Sequence, residues 1–240
     1  WQALRDFIRW LSSNRSLSDR TINTAISQLR FFTMYVLHKP WDDTQLPLRK
    51  FDTYIPFVPT KDEIMACFSD IPDLKEKTML VLMYSSGLRL GEVCALRYED
   101  IDRKQMRIHI RRAKNRSSRY AILSKYALDL LTAYWFQYRR PKVWLFPGKN
   151  KMDFSYNPDS FSNKFASYRK RFHWNERLTC HSFRHGFGTH LYENGTDLLT
   201  IKSLLGHKSL ASTMIYVHLA SNGCGKAVSP LDKLAGDYHV

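Results

Sequence analysis

Cysteine is scarce: Cys67, Cys94, Cys180 and Cys224 are the only four, widely scattered and without a Cys-x-x-Cys pair. This excludes a disulfide-stapled extracellular scaffold and fits a reducing compartment. Long apolar runs are missing too. The longest, Met79–Tyr84, is six residues, against the roughly 20 needed to cross a bilayer. No signal-peptide pattern opens the chain, and a start at Trp1 rather than Met reads as a fragment whose true N-terminus lies upstream. No internal repeat and no low-complexity tract occurs. Gly148-Lys149-Asn150-Lys151 lacks the Gly-x-x-x-x-Gly-Lys-Ser/Thr frame of a nucleotide-binding loop. Acid is also in short supply: 22 Asp+Glu face 37 Lys+Arg, a net charge of +15. Such an excess points to a polyanionic partner, nucleic acid or an anionic membrane face. What is present is globular. The 240 residues are 44% apolar and 25% charged, enough for one large domain or a large and a small one.

The first segment, Trp1 to about Phe51, reads as helical. Leu4, Phe7, Ile8 and Leu11 recur at helical spacing, and after the N-cap candidate Ser18 the pattern continues through Ile22, Ala25, Ile26, Leu29, Phe32 and Val36. Lys39-Pro40 stops it. Pro47, Pro56 and Pro59 punctuate the stretch up to residue 59, a candidate interdomain linker. Thr60-Lys61-Asp62-Glu63 is a capping box that opens a new helix and a new domain. A helix over about 73–86 ends at Gly87, and Leu88-Arg89-Leu90-Gly91-Glu92 begins another. Alternation at 106–110 and 120–123 predicts two strands, with the basic stretch 111–119 as their connection. Helices are expected at about 125–138, 158–172, 181–193, 197–205 and 209–218. The fold class is mainly α with a small antiparallel β-sheet (α+β).

Three clusters carry candidate chemistry. In Gly87-Leu88-Arg89-Leu90-Gly91-Glu92 a guanidinium sits at a helix N-terminus, where backbone donors also favour anions, and Glu92 lies one turn on, able to hold it. Taken alone, such a pair is usually a solvated ion pair. In His181-Ser182-Phe183-Arg184, His181 and Arg184 share a helix face and can meet one phosphate together. Its rival is a metal site, because His181 and His185 have the spacing of a zinc helix, although the accompanying Glu is missing. In the third, Leu205-Gly206-His207 is followed nine residues after the histidine by Tyr216. A lone tyrosine on an apolar helix is ordinarily structural.

Taken in order, Gly-Leu-Arg-x-x-Glu, a basic hairpin, His-x-x-Arg, Leu-Gly-His and a tyrosine nine residues on resemble the tyrosine recombinase (phage integrase) family over about residues 60–219. The segment from His181 to Leu191, with Leu204-Leu205-Gly206-His207-Lys208-Ser209, is particularly similar to integrases of bacterial mobile elements. The resemblance implies a tyrosine recombinase catalytic domain at 60–219 and a short N-terminal helical lobe at 1–52 that clamps DNA and is truncated here. It also implies a linker at 53–59 and a tail at 220–240 that is exchanged between protomers or disordered.

The activity implied is strand cleavage and rejoining through a 3′-phosphotyrosyl link, for integration or excision of a mobile element. A phosphodiester is anionic, so attack on it requires charge neutralisation and in-line alignment. Arg89, Arg184 and His207 would donate to its non-bridging oxygens, Tyr216 would be the nucleophile, His181 the base, and Lys114 in the hairpin the acid for the leaving 5′-oxygen; Glu92 supports Arg89. Lys114 lacks the family's flanking glycines, so a merely basic hairpin gripping phosphates stays open there. Arg20, Arg30, Arg112, Arg116, Lys164, Arg169, Lys170 and Arg171 are the candidate DNA contacts.

No metal, no cofactor and no membrane is implied. The expected partners are double-stranded DNA and further copies of the chain, a dimer per site and a tetramer in the synapse, in a bacterial cytoplasm. Alternatives are a chromosome-dimer resolvase, a type IB topoisomerase-like activity and, from another class, a non-catalytic DNA-binding accessory protein.

Overall fold

The computed structural model describes residues 1–51, 55–111, 118–138, 140–148 and 154–220. The chain divides into two compact units, residues 1–55 and 56 onward. In the first, α1 (Gln2–Ser13) and α2 (Asp19–Phe31) pair, and α2 runs into a π-helical turn, Phe32–Val36. Ser18 caps α2 by accepting the Thr21 N–H. Ile8, Ile22, Ile26 and Leu46 form the small core. The chain's return is clamped by Asn23, whose side chain donates to the Arg49 carbonyl and accepts the Arg49 N–H, both at 2.8 Å. The sequence stripe fails here in part: Phe7 of α1 is exposed, and so are Phe32 and Val36 in the π-helical turn. The wider π hydrogen bonding takes Phe32 and Val36 off the 3.6-residue period.

The second unit begins with α3 (Lys61–Asp70). Its capping box is complete, with Thr60 N–H donating to Glu63 at 2.7 Å and Glu63 N–H to Thr60 Oγ1 at 3.2 Å. The next helix, α4 (Leu74–Ser85), is capped by Asp73 and is the centre of the unit: Met79, Leu80, Val81, Leu82 and Met83 are all buried. A helix apolar on every side belongs inside a fold. It packs against α3, α6 (Lys125–Gln137) and α8 (Cys180–Glu193). Phe183 of α8 sits 6.1 Å from Phe68 and 5.8 Å from Phe165 of α7 (Pro158–Arg171). Even the polar start of α4 is buried, because each polar group has a partner there. Glu76 accepts the Tyr168 hydroxyl at 2.5 Å, and Lys75 donates to the Pro147 carbonyl.

After α4 the chain turns through Gly87, whose φ of +63° suits glycine; a Cβ there would lie 2.4 Å from the Phe187 ring. The turn launches the short α5 (Leu90–Cys94). The sheet is antiparallel in the order β1 (Ile101–Asp102), β2 (Arg107–Ile110), β3 (Arg119–Ile122), and it buries Ile108, Ile110 and Ala121. Among the described residues three strands stand where the sequence indicated two. With two residues, β1 is too short to display alternation. The remaining helices, α9 (Leu198–Leu205) and α10 (Ala211–Leu219), pack with α8 around Phe187, Ile201, Leu205 and Tyr216.

Candidate active site

The three sequence clusters meet at one place. Arg89 is the residue before α5, Arg184 lies in the second turn of α8, His207 follows α9 and Tyr216 is in the middle of α10. Each position follows from local sequence. The Gly87 turn ends α4 just short of Arg89. The left-handed Gly206, at φ 64°, ends α9 just short of His207.

Glu92 is the electrostatic hub. Its carboxylate accepts the Arg89 backbone N–H and side chain, both at 2.9 Å, and a two-pronged grip from Arg119 at 2.9 and 2.8 Å. The Glu92 and Arg119 side chains are only 8% and 9% exposed. Burial alone would raise the Glu92 pKa. The Arg119 pair, the Arg89 N–H and the Arg184 charge overrule it and hold the carboxyl at about 2. The sequence reading of Glu92 as a brace for Arg89 is therefore incomplete, since its strongest partner is on the sheet.

Arg184 is 1% exposed. It donates to the Gly87 carbonyl at 2.5 Å and the Leu205 carbonyl at 2.7 Å, tying the turns before Arg89 and His207 to α8. Burial, then the charge of Arg89, lowers its pKa to about 10, which leaves it cationic at neutral pH.

The aromatic side of the site holds Tyr216, 1% exposed, lying almost parallel to the His207 ring, with centroids 6.1 Å apart and an interplanar angle of 13°. His185 stands 6.1 Å from Tyr216 and 4.9 Å from His181, so it lies next to both rings. His207 is fixed by an Nδ1 hydrogen bond with Thr213 Oγ1 at 3.0 Å. Burial raises the Tyr216 pKa, and Arg184 and Arg89 pull against that rise. Burial, then neighbouring positive charge, lowers His181 and takes His185 and His207 to about 4. These two rings are neutral at physiological pH.

Neutral, partly buried histidines make the fold acid-sensitive. A histidine with a depressed folded pKa binds its proton more readily when unfolded. Its stability contribution is full above the reference value of 6.5 and falls as the pH drops toward 4. Glu92 adds a separate contribution, fully present above its reference 4.5 and lost as the pH falls toward 2. The melting temperature should decline between pH 6.5 and 4, and His207→Asn should flatten that decline. A flat profile over that window would contradict neutral histidines.

Tyr216 rests on the backbone of α8. A Cβ at Gly188 would lie 2.5 Å from the ring carbon bearing the hydroxyl, so only glycine admits the phenol there. In an ordinary helix Gly→Ala gains about 0.5–1 kcal/mol. Here the overpacking should reverse the sign, with Gly188→Ala costing about 1–3 kcal/mol. Thermal denaturation would measure it, and a stabilised Gly188→Ala variant would show that Tyr216 is not seated on α8.

The structure brings together Arg89, Glu92, His181, Arg184, His207 and Tyr216. Lys114, Arg112 and Arg116 lie outside the described residues, as does the tail from residue 221. Arg20, Lys164, Lys170 and Arg171 are exposed. Arg30 is paired with Asp43 at 3.1 Å, and Arg169 is half-buried and donates to the Leu178 carbonyl at 2.8 Å, a structural use of a side chain read as a DNA contact. The metal alternative at His181 and His185 finds no third side chain: among the described residues no group of three His, Cys, Asp or Glu is placed to hold an ion. Sequence reasoning missed Arg119, a basic residue in a basic hairpin that its pattern does not distinguish. It took His185 only as a metal candidate. Among the described residues no helix is long and apolar enough to cross a membrane.

A helical domain around a small sheet, with two arginines, histidines and a tyrosine converging on one site, defines a tyrosine-type site-specific DNA recombinase. Residues 60–222 match the phage integrase family model, and the chain belongs to that family. Two Sinorhizobium fredii proteins described as integrase/recombinase, y4qK and y4eF, are 34% and 32% identical to it over 96% of this chain, covering 75% and 92% of theirs. Tyrosine recombinase XerA of Pyrococcus horikoshii is 29% identical over 93% of this chain and 79% of its own. Among solved structures, the Tn1549 transposon integrase in complex with transposon right end DNA superposes with a TM-score of 0.71. The match has 17% identity and covers 98% of this chain and 84% of that one. XerH bound to its palindromic difH substrate gives 0.74 at 18% identity, covering 96% and 70%. At such identities the likeness is one of fold.

Proposed function

We propose that the chain cleaves and rejoins DNA through a covalent link to Tyr216 and serves integration or excision of a mobile element. The observation that carries the reading is the position of Tyr216: stacked on His207 and seated on the helix that bears Arg184, within the field of Arg184 and Arg89. The phenolic oxygen attacks phosphorus, a P–O(Tyr) bond forms, and the bond to the 5′-oxygen breaks. The phenol proton passes to the histidine pair His181/His185, and the 5′-oxygen leaves as a hydroxyl, with Lys114 as the acid. Arg89, Arg184 and His207 donate to the non-bridging oxygens, where preorganised donors act most strongly. The phosphotyrosine conserves the phosphodiester bond energy, so rejoining consumes no nucleotide.

The 1–52 lobe clamps the duplex together with the catalytic domain at 60–219, and the 53–59 stretch links them. Arg20, Lys164, Lys170 and Arg171 supply phosphate contacts. Two protomers occupy each site and four form the synapse. The mobile-element role is supported by the integrase relatives and by the fold shared with a transposon integrase.

The test is incubation with a library of nicked duplexes, denaturation, and sequencing of the strands that stay attached to protein. Strands joined through a 3′ end, recovered equally in EDTA, are expected. No denaturant-resistant linkage, or one formed only with a divalent cation, would overturn the reading.

A further inference from the structure

Arg119 takes no part in the chemistry proposed above, yet it is one of the most heavily engaged side chains of the site. We propose that Arg119 is a positioning residue: by saturating the Glu92 carboxylate it keeps that anion off Arg184, leaving the Arg184 guanidinium free for the scissile phosphate. The proposal rests on the strand-transfer reading and adds a residue to it.

The hydrogen-bond count carries the argument. A carboxylate offers about four lone-pair sites. On Glu92, Oε1 takes Arg89 and Arg119 side-chain donors, and Oε2 takes the Arg89 N–H and the second Arg119 prong. Arg184 stands just outside, 3.7 Å from Oε2, within ion-pair reach but beyond a hydrogen bond. Its two terminal nitrogens point instead to the Gly87 and Leu205 carbonyls. Those bonds use two of the five N–H groups of a guanidinium.

Without Arg119, half of the acceptor capacity of a buried anion loses its partner, which a protein interior does not tolerate. Among the described residues, the cation within ion-pair reach of that carboxylate but not hydrogen-bonded to it is Arg184. A shift of about 1 Å would close the gap and turn the phosphate-binding fork toward Glu92, a misplacement that typically costs about 10²-fold in rate.

A second anchor makes Arg119 a spacer as well as a counter-charge. Its Nε donates to the Leu204 carbonyl at 3.0 Å. The side chain passes so close to Gly206 that a Cβ there would lie 2.8 Å from Arg119 Cδ. One guanidinium thus spans from the carboxylate that holds Arg89 to the turn that leads into His207.

The experiment uses Arg119→Met, which keeps the apolar stem and removes the charged fork, and the double variant Arg119→Met/Glu92→Gln. Crystal structures should show Glu92 closed onto Arg184 at about 2.8 Å in the single variant. Single-turnover adduct formation, on the nicked duplex recovered with the wild-type protein, should fall about 10²-fold with duplex binding unchanged. The double variant should regain most of that loss, because a neutral amide no longer draws Arg184, and a purely structural role would give no such rescue. Glu92 left 3.7 Å from Arg184, or a double variant no faster than the single one, would overturn the proposal. Should Arg119→Met not fold, Arg119→Lys carries the same readouts, since an ammonium lacks the fork. A wild-type protein that forms no adduct would defeat the strand-transfer reading, while the crystallographic distance would still decide what Arg119 does to Glu92.

Discussion

Tyr216→Phe should bind duplex as the wild-type protein does and form no denaturant-resistant adduct. The substitution removes one oxygen from a ring whose packing is otherwise retained. The stacking on His207 and the seat on Gly188 are made by ring carbons. Stability should therefore change by no more than the roughly 0.5–1.5 kcal/mol that a single hydrogen bond contributes. Catalysis should respond on another scale, because removing a covalent nucleophile typically costs about 10⁴-fold or more. The comparison is made by electrophoretic mobility for binding and by denaturing electrophoresis for the adduct. A Phe variant that still traps DNA would move the nucleophile elsewhere and end the case for Tyr216.

The second large effect is expected at Arg184. Alanine there would leave the Gly87 and Leu205 carbonyls and a buried pocket without a partner, so its loss of activity would mix chemistry with instability. Lysine is the sharper probe. It keeps the positive charge near Glu92 and loses the fork that serves two carbonyls and, in the proposed chemistry, a phosphate. Arg184→Lys should lower single-turnover cleavage by about 10²–10³-fold, the usual cost of one preorganised donor at a developing charge. Duplex affinity, spread over many phosphate contacts, should hardly move. Equal losses in cleavage and in binding would make Arg184 a gripping residue.

What the sequence made legible was local. Thr60 with Glu63, Ser18 before α2, and the glycines at 87 and 206 are signals read within one helical turn, and the elements follow them. The catalytic candidates were legible from their order and spacing along the chain: Arg89 and His207 follow helix-ending glycines, whereas Tyr216 stands in mid-helix and was marked only by its distance from His207. What stayed hidden depends on distance. Arg119 reaches Glu92 across 27 residues and Leu204 across 85, and nothing in Arg-Tyr-Ala-Ile separates a buried bidentate arginine from a solvated one. Lys75 and Glu76 are charged residues in the first turn of α4. They are buried because Pro147 and Tyr168, remote in sequence, satisfy them. At His185 the periodicity with His181 was visible, while its place beside the Tyr216 ring is set by how α10 packs on α8.

In the proposed reaction the phenolic oxygen at position 216 becomes bonded to DNA phosphorus. The most direct measurement is to trap wild-type protein on a nicked duplex, trim the DNA with nuclease, digest the protein and sequence the modified peptide by mass spectrometry. A nucleotide remnant on Tyr216 alone is expected. A remnant on any other side chain, or on Tyr216 through a 5′-phosphate, would contradict it.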